Sequence, residues 1–581
     1  MNIKRKAVVA ISVAAIAALA LAACSGGGGS TSGGSASFNQ AVDGTVNPST
    51  TTGGTLKLLA TTDCDSWDPA RTYYGWCWNM QRIFTRSLVG YSKVNGDKPE
   101  LAPDLATALG KHNADFTQWT YTLKKGLKWE NGKPITPQDV KYGIERMFAT
   151  DVINGGPTSY FLATIKHPDD YAGPYKSGDL DTITTTDDSI TFNLSSSYGD
   201  FNYLMAMAAA APVPNKTEGG TGFVGATYTK HPMASGPYKI DSYTPNKSIT
   251  FVRNKEWDQS TDTIRKPLVD KITLTIDTDP NDVDQKLIAG TYDAKADIDV
   301  GTTMQTKIFT NPTFKKNADN PVTAFTRYFA VMPSVIPNLD CRLAIFYATD
   351  KASIVQAMGG AAKGVAAPTM TPPTIQGHSD TADPYPIGKD NTGDVAKAKE
   401  ELQKCGKPDG FDVKIAYNTP SETAPKVFQA MQTALKRVGI NATPITAASA
   451  DYYSTFIGSP ANIQNQGIGV AIAAWGADFP TGYGFWSSIA DGTNILPTGN
   501  TNYPSLNDPV VNGILKDATN GKATDDDFAK LDAQVAKDAV YLPFIWGKSL
   551  YYRNPRLTNV RSDNVLAFGL YDFVNVGTGG K

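Results

Sequence analysis

One carboxylate stands alone in a long uncharged stretch. Between Tyr452 and Ala490 the only Asp, Glu, Lys, Arg or His is Asp478, within "AAWGADFPTGYGFW", Ala473 to Trp486. A carboxylate there can meet a cation brought in from outside, or it can cap the turn before Pro480 by accepting backbone N–H groups. Turn roles are the commoner use of Asp. A second grouping, "DPARTYYGWCWNM", brings Tyr73, Tyr74, Trp76 and Trp78 close together. Such rings stack against flat ligands or anchor a core, and a mixture of the two is expected.

Catalytic patterns are missing. The chain has no G-x-S-x-G elbow, no H-E-x-x-H and no phosphate-binding glycine loop. Its four histidines, at 112, 167, 231 and 378, are solitary. The acidic run "DATNGKATDDDF" lacks calcium-loop spacing and precedes an amphipathic helix, so it reads as acidic helix-start residues. The expectation is a protein that binds rather than catalyses, with no cofactor and no metal site.

The 581 residues suffice for two or three domains with large cores. Composition is globular, 41% hydrophobic and 19% charged, and a net charge of -2 without a basic block argues against nucleic-acid binding. "MNIKRK" followed by the uncharged run Ala7–Ala23 has the build of a secretory signal peptide. The run is Ala-rich and short for a membrane span. It ends in "LAAC", which resembles the lipobox of bacterial lipoproteins, where cleavage precedes a cysteine that becomes acylated; here that is Cys24. A Gly/Ser/Thr-rich tract follows, read as a flexible tether over 24–53. Four cysteines remain, and two disulfides would leave no free thiol in an oxidising compartment. Of the three connectivities, Cys64–Cys77 and Cys341–Cys405 are favoured, one local and one joining the start of a helix to the end of another.

These residues must be positioned by elements that can also be read. "GGTLKLLATTDCDSWDPA" begins as a strand and ends in a turn, and "WNMQRIFTRSLVGY" has helical spacing. "QWTYTLKKGLKWENGKPITPQDVKYGIERMF" predicts a strand pair around Asn131-Gly132, then a helix capped at Thr136 with Pro137 in its first turn. "SITFNLSSSY", "SITFVRNKEW" and "DKITLTIDTD" read as strands. After about residue 338 helices alternate with strands, ending in the buried-type strand "GIGVAIAAW", which implies α/β units on a mixed or parallel sheet. The tail "YLPFIWGKSLYYRNPRLTNV" returns to strand.

Five stretches, in order, carry a resemblance. They are "GTLKLLATTDCDSWDPA"; "LAPDLATAL" with "WTYTLKKGLKWENGKPITPQDVKYGIERM"; "ASGPYKIDSYTPNKSITFVRNKEW"; "LDCRLAIFYATDKASIV"; and "AAWGADFPTGYGFW". Together they resemble the extracytoplasmic solute-binding proteins of the bacterial peptide/nickel ABC-importer family. The resemblance implies an α/β, bilobal periplasmic-binding-protein-like fold of type II, in its large three-domain variant, with three chain crossings as a hinge and a ligand cleft between lobes. On that reading 1–23 is the signal peptide and 24–53 the tether. Lobe I combines 54–98, 230–330 and 540–581, an extra domain takes 99–229, and lobe II takes 331–539.

The resemblance also implies a role for the lone carboxylate. Asp478 matches the family's partner for a peptide's ammonium group, and Trp475 would wall the pocket. Phe479, Tyr483, Tyr73, Tyr74 and Trp76 complete the expected ligand-binding set. The sequence departs from the family pattern in "ADFPTGYGFW", where an acidic "DP" is usual after the Pro. It also has Ile472, not Arg, before the strand end, so no terminal carboxylate is caught from there. The implied partners are a peptide, an ABC permease with its ATPase, and the membrane through a lipid at Cys24; a monomer on the outer face of the membrane is expected. The alternatives are an oligosaccharide ligand, or a signalling or surface receptor on the same fold.

Overall fold

The computed structural model describes residues 38–92, 100–153, 155–215, 228–297, 299–384, 390–562 and 569–580. The signal peptide, the lipobox and Cys24 lie outside the described residues.

Three sheets organise the chain, each over its own apolar cluster. The first has the order Ala294–Lys295, Thr55–Ala60, Lys271–Ile276, Ser248–Arg253, Tyr238–Thr244. Thr55–Ala60 runs parallel to both its neighbours, and the remaining pairs are antiparallel. The second is a four-stranded antiparallel sheet from the 100–215 region: Lys111–His112, Gln118–Thr122, Ser189–Asn193, Ile183–Thr185. The third is the mixed sheet implied by the alternation of helices and strands, ordered Gly364–Ala366, Tyr541–Lys548, Val322–Val331, Ile468–Gly476, Asp412–Thr419, Asn441–Ala448.

Local chemistry explains several joins. In the "DPA" turn, Asp68 accepts from the Ala70 N–H at 3.1 Å and pairs with Arg146 at 2.7 Å, both side chains fully buried. That pair ties the segment after the first strand to the helix Pro137–Glu145 and the 3-10 turn that continues it. The helix itself starts as read, with a Thr136/Asp139 capping box and Pro in its first turn. Disulfides join Cys64 to Cys77 and Cys341 to Cys405.

Four expectations need correction. The helix over "WNMQRIFTRSLVGY" is short, Gly75–Gln81, because the chain turns to form the strand Val89–Ser92. Around Asn131-Gly132 there is a tight turn with one bridge, Lys128 to Pro134; Gln118–Thr122 pairs elsewhere, with Ser189–Asn193. The tether ends earlier than residue 53. Ala41 and Val46 are buried, Ala41 N–H donates to Asp319 at 2.8 Å, and Val46 bridges to Val560. The small apolar residues after the glycine tract thus cover the body. Finally, the strands Val322–Val331, assigned by sequence to lobe I up to residue 330, and Tyr541–Lys548, assigned to lobe I, are adjacent in the six-stranded sheet. Both strands thus share one sheet with Gly364–Ala366, Ile468–Gly476, Asp412–Thr419 and Asn441–Ala448. Beyond them, Asp319 pairs with Arg553 and accepts from the Tyr571 hydroxyl at 2.7 Å, a buried knot that joins the two chain segments.

Candidate functional site

The strand Ile468–Gly476 lies inside the six-stranded sheet, between Val322–Val331 and Asp412–Thr419, and its apolar side chains pack in the core; Ile468 through Ala471 are buried. It ends two residues before Asp478, so that carboxylate emerges at the strand's C-terminal edge. There it meets two hydroxyls from distant parts of the chain. Tyr73 Oη and Tyr160 Oη both donate to Asp478 Oδ2, each at 2.7 Å. Tyr73 follows the first strand, and Tyr160 sits in the helix Thr158–Thr164. Burial pushes the Asp478 carboxyl above its usual range, and the two hydroxyl bonds oppose that push. The same carboxylate, with burial, raises the phenols of Tyr73 and Tyr160. Among the described residues the hydrogen bonds of Asp478 are to these side chains and not to the backbone of the turn.

A cavity of about 880 Å³ opens beside it. Tyr73, Tyr74, Trp76, Trp475 and Asp478 all line it. Tyr73 and Tyr74 are 47% and 51% exposed, unusual for tyrosines beside a packed core, whereas Trp76 is buried and shows the cavity an edge. The Trp475 indole N–H donates to the Phe485 carbonyl at 2.7 Å, pinning the strand end to the helix Gly482–Ala490. The floor is the outer face of the sheet, where Phe325 lies opposite Gly476 and Arg327 opposite Ala474. At Gly476 the Phe325 ring lies close over the strand: a Cβ there would stand 2.7 Å from it, so the ring would have to shift. Two charge pairs border the far side, Lys363 with Asp299 at 2.7 Å and Lys295 with Asp297 at 3.4 Å. Beyond Asp299, Met358 and Lys363 the space continues into a second chamber of about 780 Å³.

Of the expected residues, Asp478, Trp475, Tyr73, Tyr74 and Trp76 meet at this cavity. Phe479 and Tyr483 do not line it. Phe479 is 2% exposed and sits between the rings of Tyr160 and Tyr203, at 5.8 and 5.9 Å; Tyr483 meets Tyr198 edge-on at 5.7 Å. One turn past the strand end, the chain has left the cavity and packs against the 100–215 region. Sequence reading missed Tyr160, which carries no local signal. It also missed Arg327, for which alternation in "VTAFTRYFAV" was available: Thr326 and Tyr328 are buried while Phe325 and Arg327 are exposed.

A strand end carrying a carboxylate over a large cavity is a binding geometry, and comparison with known proteins agrees. The family model for bacterial extracellular solute-binding proteins, family 5, middle region, matches residues 100–496. The chain belongs to this family. The family 5 protein is similar to the oligopeptide-binding protein OppA of Bacillus subtilis (strain 168), 28% identical over 375 residues, 61% of this chain and 64% of that protein's length. It is 25% identical over 468 residues to the periplasmic oligopeptide-binding protein OppA of Salmonella typhimurium, covering 77% of this chain and 78% of that one. Among solved structures, the clavulanic acid biosynthesis oligopeptide binding protein 2 superposes with a TM-score of 0.86 at 36% identity, over 94% of this chain and 99% of that chain. The fold is thus the periplasmic-binding-protein type. As a family 5 member the protein is extracytoplasmic, and among the described residues no helix is long and apolar enough to cross a membrane.

Proposed function

We propose that this protein captures peptides outside the cell and delivers them to an ABC permease and its ATPase, holding the ligand's ammonium group at Asp478. The observation that carries the reading is the carboxylate's surroundings. Asp478 lines the 880 Å³ cavity, and its hydrogen-bond partners among the described residues are neutral phenols, with no lysine or arginine in ion-pair contact. A buried carboxylate without a cation is costly, and an incoming ammonium supplies the missing charge. Oligopeptide binding, named for its relatives, fits that chemistry and the cavity's volume.

Capture involves no covalent step. The exposed faces of Tyr73 and Tyr74 would cover the ligand backbone, and the lobes would close on it as rigid bodies about the paired crossings near Asp319 and Arg553. The protein would act as a monomer, tethered to the outer face of the membrane by a lipid on Cys24 after cleavage of residues 1–23. Mass spectrometry of the mature N-terminus tests the anchor.

The half-exposed rings of Tyr73 and Tyr74 favour a second reading, in which an oligosaccharide stacks on them and Asp478 accepts from a hydroxyl. Native mass spectrometry of gently purified protein separates the two readings: a retained peptide supports the first and a retained sugar supports the second.

A further inference from the structure

Phe309 is not accounted for by core packing. In the helix Thr302–Thr310 the buried positions are Met304 and Ile308, one turn apart, and Phe309 falls beside that stripe with 42% of its surface exposed. The short helix that follows, Pro312–Lys315, has no buried residue. From Gly301 to Ala318 the sequence carries three lysines, Lys307, Lys315 and Lys316, and no Asp or Glu. Among the described residues none of the three is in an ion pair. Two of the ammonium groups lie over rings instead: Lys307 Nζ is 5.3 Å from the centre of Phe314, and Lys315 Nζ is 5.6 Å from that of Phe38. Phe38 in turn meets Phe309 edge-on at 6.3 Å.

Carboxylates on the neighbouring elements are engaged. Asp284 is buried and accepts from the Gly301 and Met304 N–H groups, Asp282 pairs with Lys286 at 2.8 Å, and Asp319 is held by Arg553. Exposed Asp43, in the short helix Gln40–Asp43, offsets one of the three positive charges. The face is therefore aromatic and net cationic.

It is also where the chain from the N-terminus joins the body. Just after Phe38, Asn39 N–H donates to the Ala318 carbonyl at 3.1 Å, and Asn39 Oδ1 accepts from the Asn320 N–H at 2.7 Å. Cys24 stands fourteen residues before Phe38, so even a fully extended chain would put at most about 50 Å between them. Rings that can enter a headgroup layer, beside lysines whose stems reach past them to phosphates, suit an anionic phospholipid surface.

We infer that the face formed by Phe38, Phe309, Lys307, Lys315 and Lys316 rests on the anionic surface of the membrane. This rests on the anchor proposed at Cys24: the acyl chains supply the affinity, and the face supplies the orientation. Orientation matters because the same helix reaches the cleft. Gly301, Thr302 and Gln305, at its start, line the second chamber. At about 1.5 Å per residue, that end of the cleft lies on the order of 12 Å along the helix from Phe309. A body resting on this face keeps the chamber close to the headgroups, at the level where a permease in the same membrane presents its outer surface.

The test uses the chain from residue 24 onward with Cys24→Ser, so that no acyl chain contributes. Its partition by co-sedimentation is measured on vesicles of equimolar phosphatidylglycerol and phosphatidylcholine, and on phosphatidylcholine alone. Partition is expected to be about tenfold higher on the anionic vesicles at low salt, and to fall towards the neutral value at about 0.5 M NaCl. Adding Lys315→Gln/Lys316→Gln should remove most of that difference, since each lysine at an anionic surface contributes about fivefold. Phe309→Ser should weaken partition to both vesicles, and all variants should keep the melting temperature and peptide affinity of the parent. Equal partition onto the two vesicles, or anionic partition untouched by these substitutions, overturns the inference. Phe309-dependent dimerisation without vesicle binding overturns it too and assigns the face to a second copy of the chain. Mass spectrometry of the mature N-terminus reports on the anchor separately, so a failure of the anchor and a failure of this face are distinguishable.

Discussion

Tyr73 donates its hydroxyl to Asp478 across 405 residues of sequence, at 2.7 Å. The contact joins the segment after the first strand to the end of the strand Ile468–Gly476. Tyr160 adds a third segment at the same oxygen. One carboxylate oxygen is therefore the meeting point of three distant segments of the chain, at the edge of the cavity proposed for the ligand.

Tyr160→Phe removes one of the two donors while leaving the ring between its neighbours. A hydrogen bond to a charged group contributes about 1.5–3 kcal/mol, so the ionised form of Asp478 becomes less favoured. The acid limb of peptide binding, followed by calorimetry from pH 7.5 to 4.5, is expected to move to higher pH in this variant. Tyr73→Phe should do the same, and the double variant should move it further.

Asp200 makes a separate contact between regions, accepting from the Thr481 hydroxyl at the start of the helix Gly482–Ala490. Burial pushes its carboxyl up to about 6, against the lowering effect of that bond. With the folded value raised above the unfolded one, the folded state holds its proton longer. The contribution of Asp200 to stability is therefore greatest below about pH 4, and it falls as pH rises from the ordinary carboxylate value towards 6. Asp200→Asn should remove that loss, so its melting temperature should vary less than that of wild type between pH 4 and 6.5.

The two disulfides close loops of very different length, with sequence separations of 13 and 64. In the chain-entropy account the longer loop stabilises more, about 4 kcal/mol against about 3 kcal/mol. Paired Cys-to-Ser variants should both unfold at lower denaturant concentration. The Cys341→Ser/Cys405→Ser protein is expected to show the larger drop.

Much of this arrangement was legible in the sequence, for identifiable reasons. Asp478 was conspicuous because nothing ionisable surrounds it. The strand before it had to be buried because it carries no polar side chain, and the Thr136–Pro137 helix start follows from capping chemistry alone. Partners brought together only by the folded chain were not legible. Tyr160 has no feature that distinguishes it from any other helical tyrosine. Phe479 and Tyr483 looked like pocket residues because they flank Asp478, yet a single turn of chain carries them into the packing against Tyr203 and Tyr198. Strand ownership at the crossings was misjudged for a similar reason. Val322–Val331 and Tyr541–Lys548 are apolar enough for either body, and only their pairing, with each other and with Ile468–Gly476 and Gly364–Ala366, assigns them to the six-stranded sheet.

The central claim is that Asp478 binds a peptide's ammonium group. Calorimetry with one peptide mixture, free or N-acetylated, on wild type and Asp478→Asn tests it most directly. Losing one partner of a buried charge pair costs about 2–5 kcal/mol, so acetylation and the substitution should each weaken binding by roughly 30-fold or more. Their effects should not add, because they remove the same contact. Affinity of wild type for the free peptides should also fall on acidification from above the usual carboxylate range, since protonated Asp478 offers no charge and burial raises its proton affinity. Equal binding of free and acetylated peptides by wild type, or additive losses in the combined experiment, would contradict the claim.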